Sequence, residues 1–180
     1  MCPVVSLTVI FWIFIFLFAV IGGMRGWAKE LLVTFSVILA IFILTVLETY
    51  VGLVKSMEKA GGTPIFWLRV VTLFLLVFFG YQTPNIKAIA GARFARERLQ
   101  DTLLGIMLGA INGYLIVGTF WWDLAQAKYP YNLATPPIPG TPLGDAALRI
   151  LHYAPPEWLV IPWVYFAVMI SFVFVLIVFL

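Results

Sequence analysis

Two oppositely charged side chains stand where charge is expensive. Glu48 and Arg69 fall inside long apolar runs, and burying either alone in hydrocarbon costs at least about 2.5 kcal/mol. Their runs are consecutive, so as antiparallel helices they place both residues at similar depth on one side. The expectation is an intramembrane ion pair. A proton relay would need further titratable groups in other spans, and none is expected there. Gly105, Gly109 and Gly113 recur every four residues and share one helix face. Such a face lets a second backbone approach closely, which is how helices associate where lipid removes the hydrophobic drive. Asn112 beside them can bond a neighbouring helix. His152 is the only histidine and Cys2 the only cysteine. A metal site needs more ligands than these, and no Ser/His/Asp set or phosphate-binding glycine loop is present. The expectation is a protein that is not an enzyme, with no metal and no cofactor of its own.

These residues need a membrane around them. In 180 residues, hydrophobic types make up 63%, aromatics 17% and charged types only 11%. Soluble domains are about 45–50% apolar and 25% charged, so too few charges exist to coat a soluble globule. A lone cysteine excludes a disulfide scaffold, and the apolar content excludes disorder. A net charge of +3 reads as topology signalling rather than as a nucleic-acid surface.

A spanning helix takes about 20 mostly apolar residues. Runs of that kind cover residues 4–21, 31–51, 65–81, 102–122 and 158–180. The first has no preceding Lys or Arg and is too long for a signal-peptide core. Cys2, ahead of it, reads as a free buried thiol rather than a palmitoylation site. Residues 52–64 read as a loop. Residues 123–157 read as a Pro-rich extramembrane loop with one helical turn near Leu148, because proline breaks helices. Pro162 is expected in the first turns of the last span.

Residues 84–101 mix Lys87, Arg93, Arg96 and Arg98 with apolar side chains at helical spacing. They read as an interfacial amphipathic helix with its basic side toward headgroups. The expected fold is therefore all-α: an integral membrane bundle of five transmembrane helices plus that short interfacial helix. Trp27, Trp67, Trp121, Trp122, Trp158 and Trp163 fall near span ends and read as an aromatic belt, with Trp12 deeper. Six Lys/Arg flank the spans on the side of the amphipathic segment and four on the other. The positive-inside rule then puts the N-terminus outside and the C-terminus in the cytoplasm.

The turn Gly22-Gly23-Met24-Arg25-Gly26-Trp27-Ala28-Lys29-Glu30 supplies glycines for a sharp reversal. Arg25 and Lys29 hold it on the cytoplasmic side, and Glu30 suits a helix N-terminus. This turn resembles the Gly-x-x-Arg-Gly junction between the first two spans of the CvpA (colicin V production) family of small bacterial inner-membrane proteins. So does the later stretch from Leu99 to Leu115, in which Asp101 precedes the glycine-spaced helix. The resemblance covers roughly residues 4–122 and implies a four-helix membrane region over residues 1–122. Family members carry a polar tail after it; here the Pro-rich loop and a C-terminal transmembrane helix over residues 158–180 replace that tail.

The resemblance implies a non-catalytic multi-pass protein of the bacterial inner membrane that acts by helix–helix association. The alternative is an accessory subunit of a larger bioenergetic complex, photosynthetic or respiratory. Expected partners are the lipid bilayer and other membrane subunits, with no nucleic acid. Contact with lipid, quinone or pigment would arise only inside such a complex. A channel or transporter is disfavoured, because pathways need polar lining.

Overall fold

The computed structural model describes residues 7–60, 63–82, 95–132 and 134–179. Among them every regular element is helical. The order is α1 (Leu7–Arg25), α2 (Trp27–Tyr50), α3 (Gly52–Ala60), α4 (Thr63–Tyr81), α5 (Ala95–Gln126), a short 3-10 turn (Pro130–Asn132), α6 (Pro142–His152), α7 (Pro155–Trp158) and α8 (Trp163–Phe179). Four of these helices are long and apolar enough to cross a membrane: α1, α2, α4 and the Leu99–Gln126 part of α5. The fifth expected span corresponds to α8, which carries no charge but has only 17 residues, about 25 Å at 1.5 Å per residue.

The bundle is organised around α2 and α5. Among the described residues, helix α1 lies along α5 over the most extensive helix–helix contact, and α2 touches α4, α5 and α8. The central core joins Val33, Val37, Ala40 and Ile41 of α2 to Leu73 and Val77 of α4, Leu115 and Ile116 of α5, and Val164 of α8. Outward-facing side chains stay apolar. Phe16 is 72% exposed on α1 and Ile177 71% exposed on α8, the pattern of helices solvated by hydrocarbon rather than water.

Several boundaries differ from the sequence expectation. Residues 52–60 form α3 rather than a loop. The amphipathic helix does not end at 101: residues 95–101 run straight into the fourth span as one 32-residue helix. Lys87 and Arg93 lie outside the described residues, as does Cys2. Arg96 and Arg98 fall in the first turn of α5. That helix also continues past Trp122 to Gln126, since no breaker intervenes before Pro130. It closes with Ala127 N donating to the Asp123 carbonyl and Tyr129 N to that of Leu124, followed by Lys128 and Tyr129 at φ 56° and 55°.

The Pro-rich region is not one loop. Pro142 and Pro155 stand in the first turns of α6 and α7, where the missing N–H costs nothing and the fixed φ suits a helix. Thr141 caps α6 by accepting from Gly144 N at 3.1 Å, and Asp145 near the start with Arg149 and His152 near the end complement its dipole. Three turns of helix therefore replace the single turn expected near Leu148. Pro162 precedes α8 rather than lying inside it, after a cis Ile161–Pro162 peptide.

Candidate functional site

Polar groups gather in two layers, one at each end of the bundle. Glu30 and Glu48 mark them on α2, eighteen residues apart, or about 27 Å along the helix.

The first layer grows from the α1–α2 turn. Gly26 joins the two helices alone, at φ 86° and ψ 156°, a backbone region essentially reserved for glycine. Asp101 of α5 sits against it and accepts from Trp27 N at 3.2 Å, adding a carboxylate to the exposed donors at the start of α2. One turn further in, the glycines interlock. A Cβ on Gly22 would stand 2.7 Å from Gly109 Cα, and one on Gly113 3.0 Å from Ile15 Cα. Gly105 faces the Gly22 carbonyl in the same way, and Gly23 lies against Ile106. The glycine stripe of α5 therefore serves α1 of its own chain.

Deeper still, Glu30 is fully buried. Arg25 Nη1 donates to Glu30 Oε1 at 2.7 Å, and Asn112 Nδ2 donates to Glu30 Oε2 at 2.8 Å and to the Glu30 carbonyl at 2.9 Å. Thr34 Oγ1 donates to Asn112 Oδ1 at 2.7 Å. Arg25 also reaches the Tyr81 carbonyl at 3.2 Å and lies 4.2 Å from the centre of the Tyr81 ring. Both carboxylate oxygens thus have donors, which a buried carboxylate requires. Arg25 thus carries an internal ion pair, and Glu30, in the first turn of α2 as expected, is also a core residue.

The second layer is open. Arg69 Nε donates to Glu48 Oε1 at 2.6 Å and stands 3.9 Å from Asp123 Oδ1. Its guanidinium lies 5.1 Å from the centre of the Trp122 ring, and Trp122 Nε1 donates to Glu157 Oε1 at 2.6 Å. These side chains line a cavity of about 470 Å³ whose other walls are mainly apolar residues of α2 and of the 159–161 turn. Asp123 is 2% exposed, and its Oδ2 has no hydrogen-bond partner. Arg69→Lys should cost about 1 kcal/mol, because lysine keeps the charge and loses the directed Nε bond and the flat stacking face. The unfolding midpoint in detergent measures it.

Asp123, expected in the 123–157 loop, lies in α5 instead. Glu30 and Tyr81 stand at the helix ends where the sequence puts them, but their part in this polar layer was not legible there. The helical phase of α5, unbroken through Gln126, is the signal that could have found Asp123. The expectation that no other span carries titratable groups fails at Asp123, which lies inside α5. Trp121 leaves the expected belt: it is buried against Phe11, with Nε1 donating to Tyr129 Oη at 3.4 Å. Burial pushes the Tyr129 phenol above its usual range, and that donor offsets part of the effect. Trp67, Trp158 and Trp163 are exposed, as is His152 at the end of α6. No family model, curated protein or solved structure matches the chain.

Proposed function

We propose that this chain is a non-catalytic multi-pass protein of the bacterial inner membrane, CvpA-like in its first four spans, that works by associating with other membrane subunits. In this reading α8 is a fifth and shorter crossing. The N-terminus lies outside and the C-terminus in the cytoplasm, in keeping with the bias of basic residues toward the side of Arg25, Lys29 and the 84–101 segment. One observation carries the reading. Helices α1 and α8 pack on one side only, and their outer faces keep large apolar side chains bare, among them Trp12, Phe16, Trp163 and Ile170. The glycine stripe is consumed inside the chain, so association belongs to these outer faces.

The test is purification from native membranes in mild detergent, followed by mass spectrometry and an absorbance spectrum. Membrane subunits are expected to co-purify in fixed stoichiometry, and Phe16→Ala with Ile170→Ala should reduce their recovery while leaving the fold intact. Pigment- or haem-bearing partners would make the chain an accessory subunit of a bioenergetic complex. A colourless monomer would overturn the association reading.

A further inference from the structure

We propose that the cavity beside Asp123 binds the primary ammonium group of an amphiphile. Three carboxylates, from Glu48, Asp123 and Glu157, line it against one guanidinium, that of Arg69. The Asp123 carboxylate is only partly satisfied inside the protein, by Arg69 Nε at 3.9 Å from its Oδ1. It is buried, its Oδ2 lacks a partner, and Arg69 commits its Nε to Glu48 instead. The threonine hydroxyls on the same wall turn away. Thr45 Oγ1 donates to the Ile41 carbonyl at 2.8 Å and Thr119 Oγ1 to that of Leu115 at 2.6 Å. The lining thus sets three carboxylates against one guanidinium, an excess of acceptors and of negative charge that suits an ammonium, a cluster of three donors with no acceptor.

Size and shape point to an organic cation rather than a bare ion. Among the described residues no three acidic, histidine or cysteine side chains stand close enough together to hold a metal. A volume of about 470 Å³ falls within the range of small-molecule sites. Leu44, Leu159 and Ile161 supply an apolar wall for the hydrocarbon part, and the exposed Glu157 and Val160 mark a mouth at the end of the bundle. An aminolipid headgroup and a free alkylamine share this chemistry. The proposal goes beyond association with partner subunits, and a failure to recover partners leaves it standing.

The experiment uses the full chain in nanodiscs of phosphatidylcholine, a lipid with no primary amine, titrated with octylammonium by calorimetry. Saturable binding is expected. Asp123→Asn should weaken it at least tenfold, Glu157→Gln at the mouth severalfold, and Asp145→Asn on α6 not at all. In mixed nanodiscs, retention of phosphatidylethanolamine in native mass spectra, lost in Asp123→Asn and competing with octylammonium, assigns the site to a lipid headgroup. Octylammonium binding without that retention assigns it to a free amine. Should Asp123→Asn not fold, Glu157→Gln carries the test alone. The proposal is overturned if wild type shows neither saturable binding nor lipid retention. It is equally overturned if octylammonium binds the folded variants as it binds wild type, which is partition into the bilayer.

Discussion

Gly109→Leu is expected to abolish the native fold of a single chain rather than to change how chains assemble. A Cβ at position 109 would stand 2.9 Å from Gly22 Cα and closer still to the Phe18 carbonyl. Backbone cannot give way as a flexible side chain does, so α1 must move off α5. Overpacking of an ordinary core costs about 1–3 kcal/mol and occasionally more, and a branched side chain driven into a neighbouring backbone belongs at or above the top of that range. Losing the α1 contact also uncovers Gly22, Gly105 and Gly113 together, because the stripe packs as a unit. The check is an unfolding titration of purified protein in detergent, followed by tryptophan fluorescence. Gly52→Leu is the control, since a Cβ there meets nothing within 4 Å. A normal midpoint for Gly109→Leu, whatever its native mass, would refute the intrachain packing.

The second large effect is expected at Asn112. Replacement by leucine keeps the volume and removes both donors to Glu30. A fully buried carboxylate is then left with Arg25 on one oxygen and nothing on the other. Breaking a buried charged network by deleting one partner costs about 3 kcal/mol or more, because the remaining charge stays desolvated. Thr34 loses the Asn112 acceptor at the same time and keeps the Glu30 carbonyl at 3.1 Å. The sign of the coupling distinguishes this from a packing defect. Glu30→Gln combined with Asn112→Leu should be less destabilised than the two single changes added together, since the neutral amide removes the charge that needed the partner. Additive single effects in the same unfolding assay would place the cost in packing instead.

Both predictions reach back to segments whose order was visible before any geometry. The turn at Gly22-Gly23-Met24-Arg25-Gly26 and the run from Asp101 through Gly113 lie some 80 residues apart, yet they form one unit. Asp101 meets Gly26, Gly105 and Gly109 meet Gly22, and Asn112 meets Glu30. Spacing alone revealed that each segment offers a close-approach face. It could not reveal that the two faces meet, because a glycine stripe looks the same whether its neighbour comes from the same chain or another. Glu48 and Arg69 were easier to read. Only 21 residues and one reversal separate them, so connectivity already constrained their depth.

The Pro-rich region shows the opposite failure. Proline is a breaker inside a helix and a good first residue of one. The sequence carries both readings until the chain direction around Thr141-Pro142 and Ala154-Pro155 is known. The same ambiguity truncated the fourth span at Trp122 and so put Asp123 outside it. A lone acid between a tryptophan pair and a leucine carries no periodic signal of its own.

Composition and periodicity determined that the chain is helical with four segments apolar and long enough to cross a membrane, and where glycine permits close approach. These are properties of local sequence against a solvent. Packing of α1, α2 and α5 decided that the glycine stripe is used within the chain and that Glu30 is buried with two donors. It also left Asp123 buried beside a cavity, with its Oδ2 lacking a hydrogen-bond partner. Those outcomes depend on which faces meet across dozens of residues, and no short window of sequence contains both sides of such a contact.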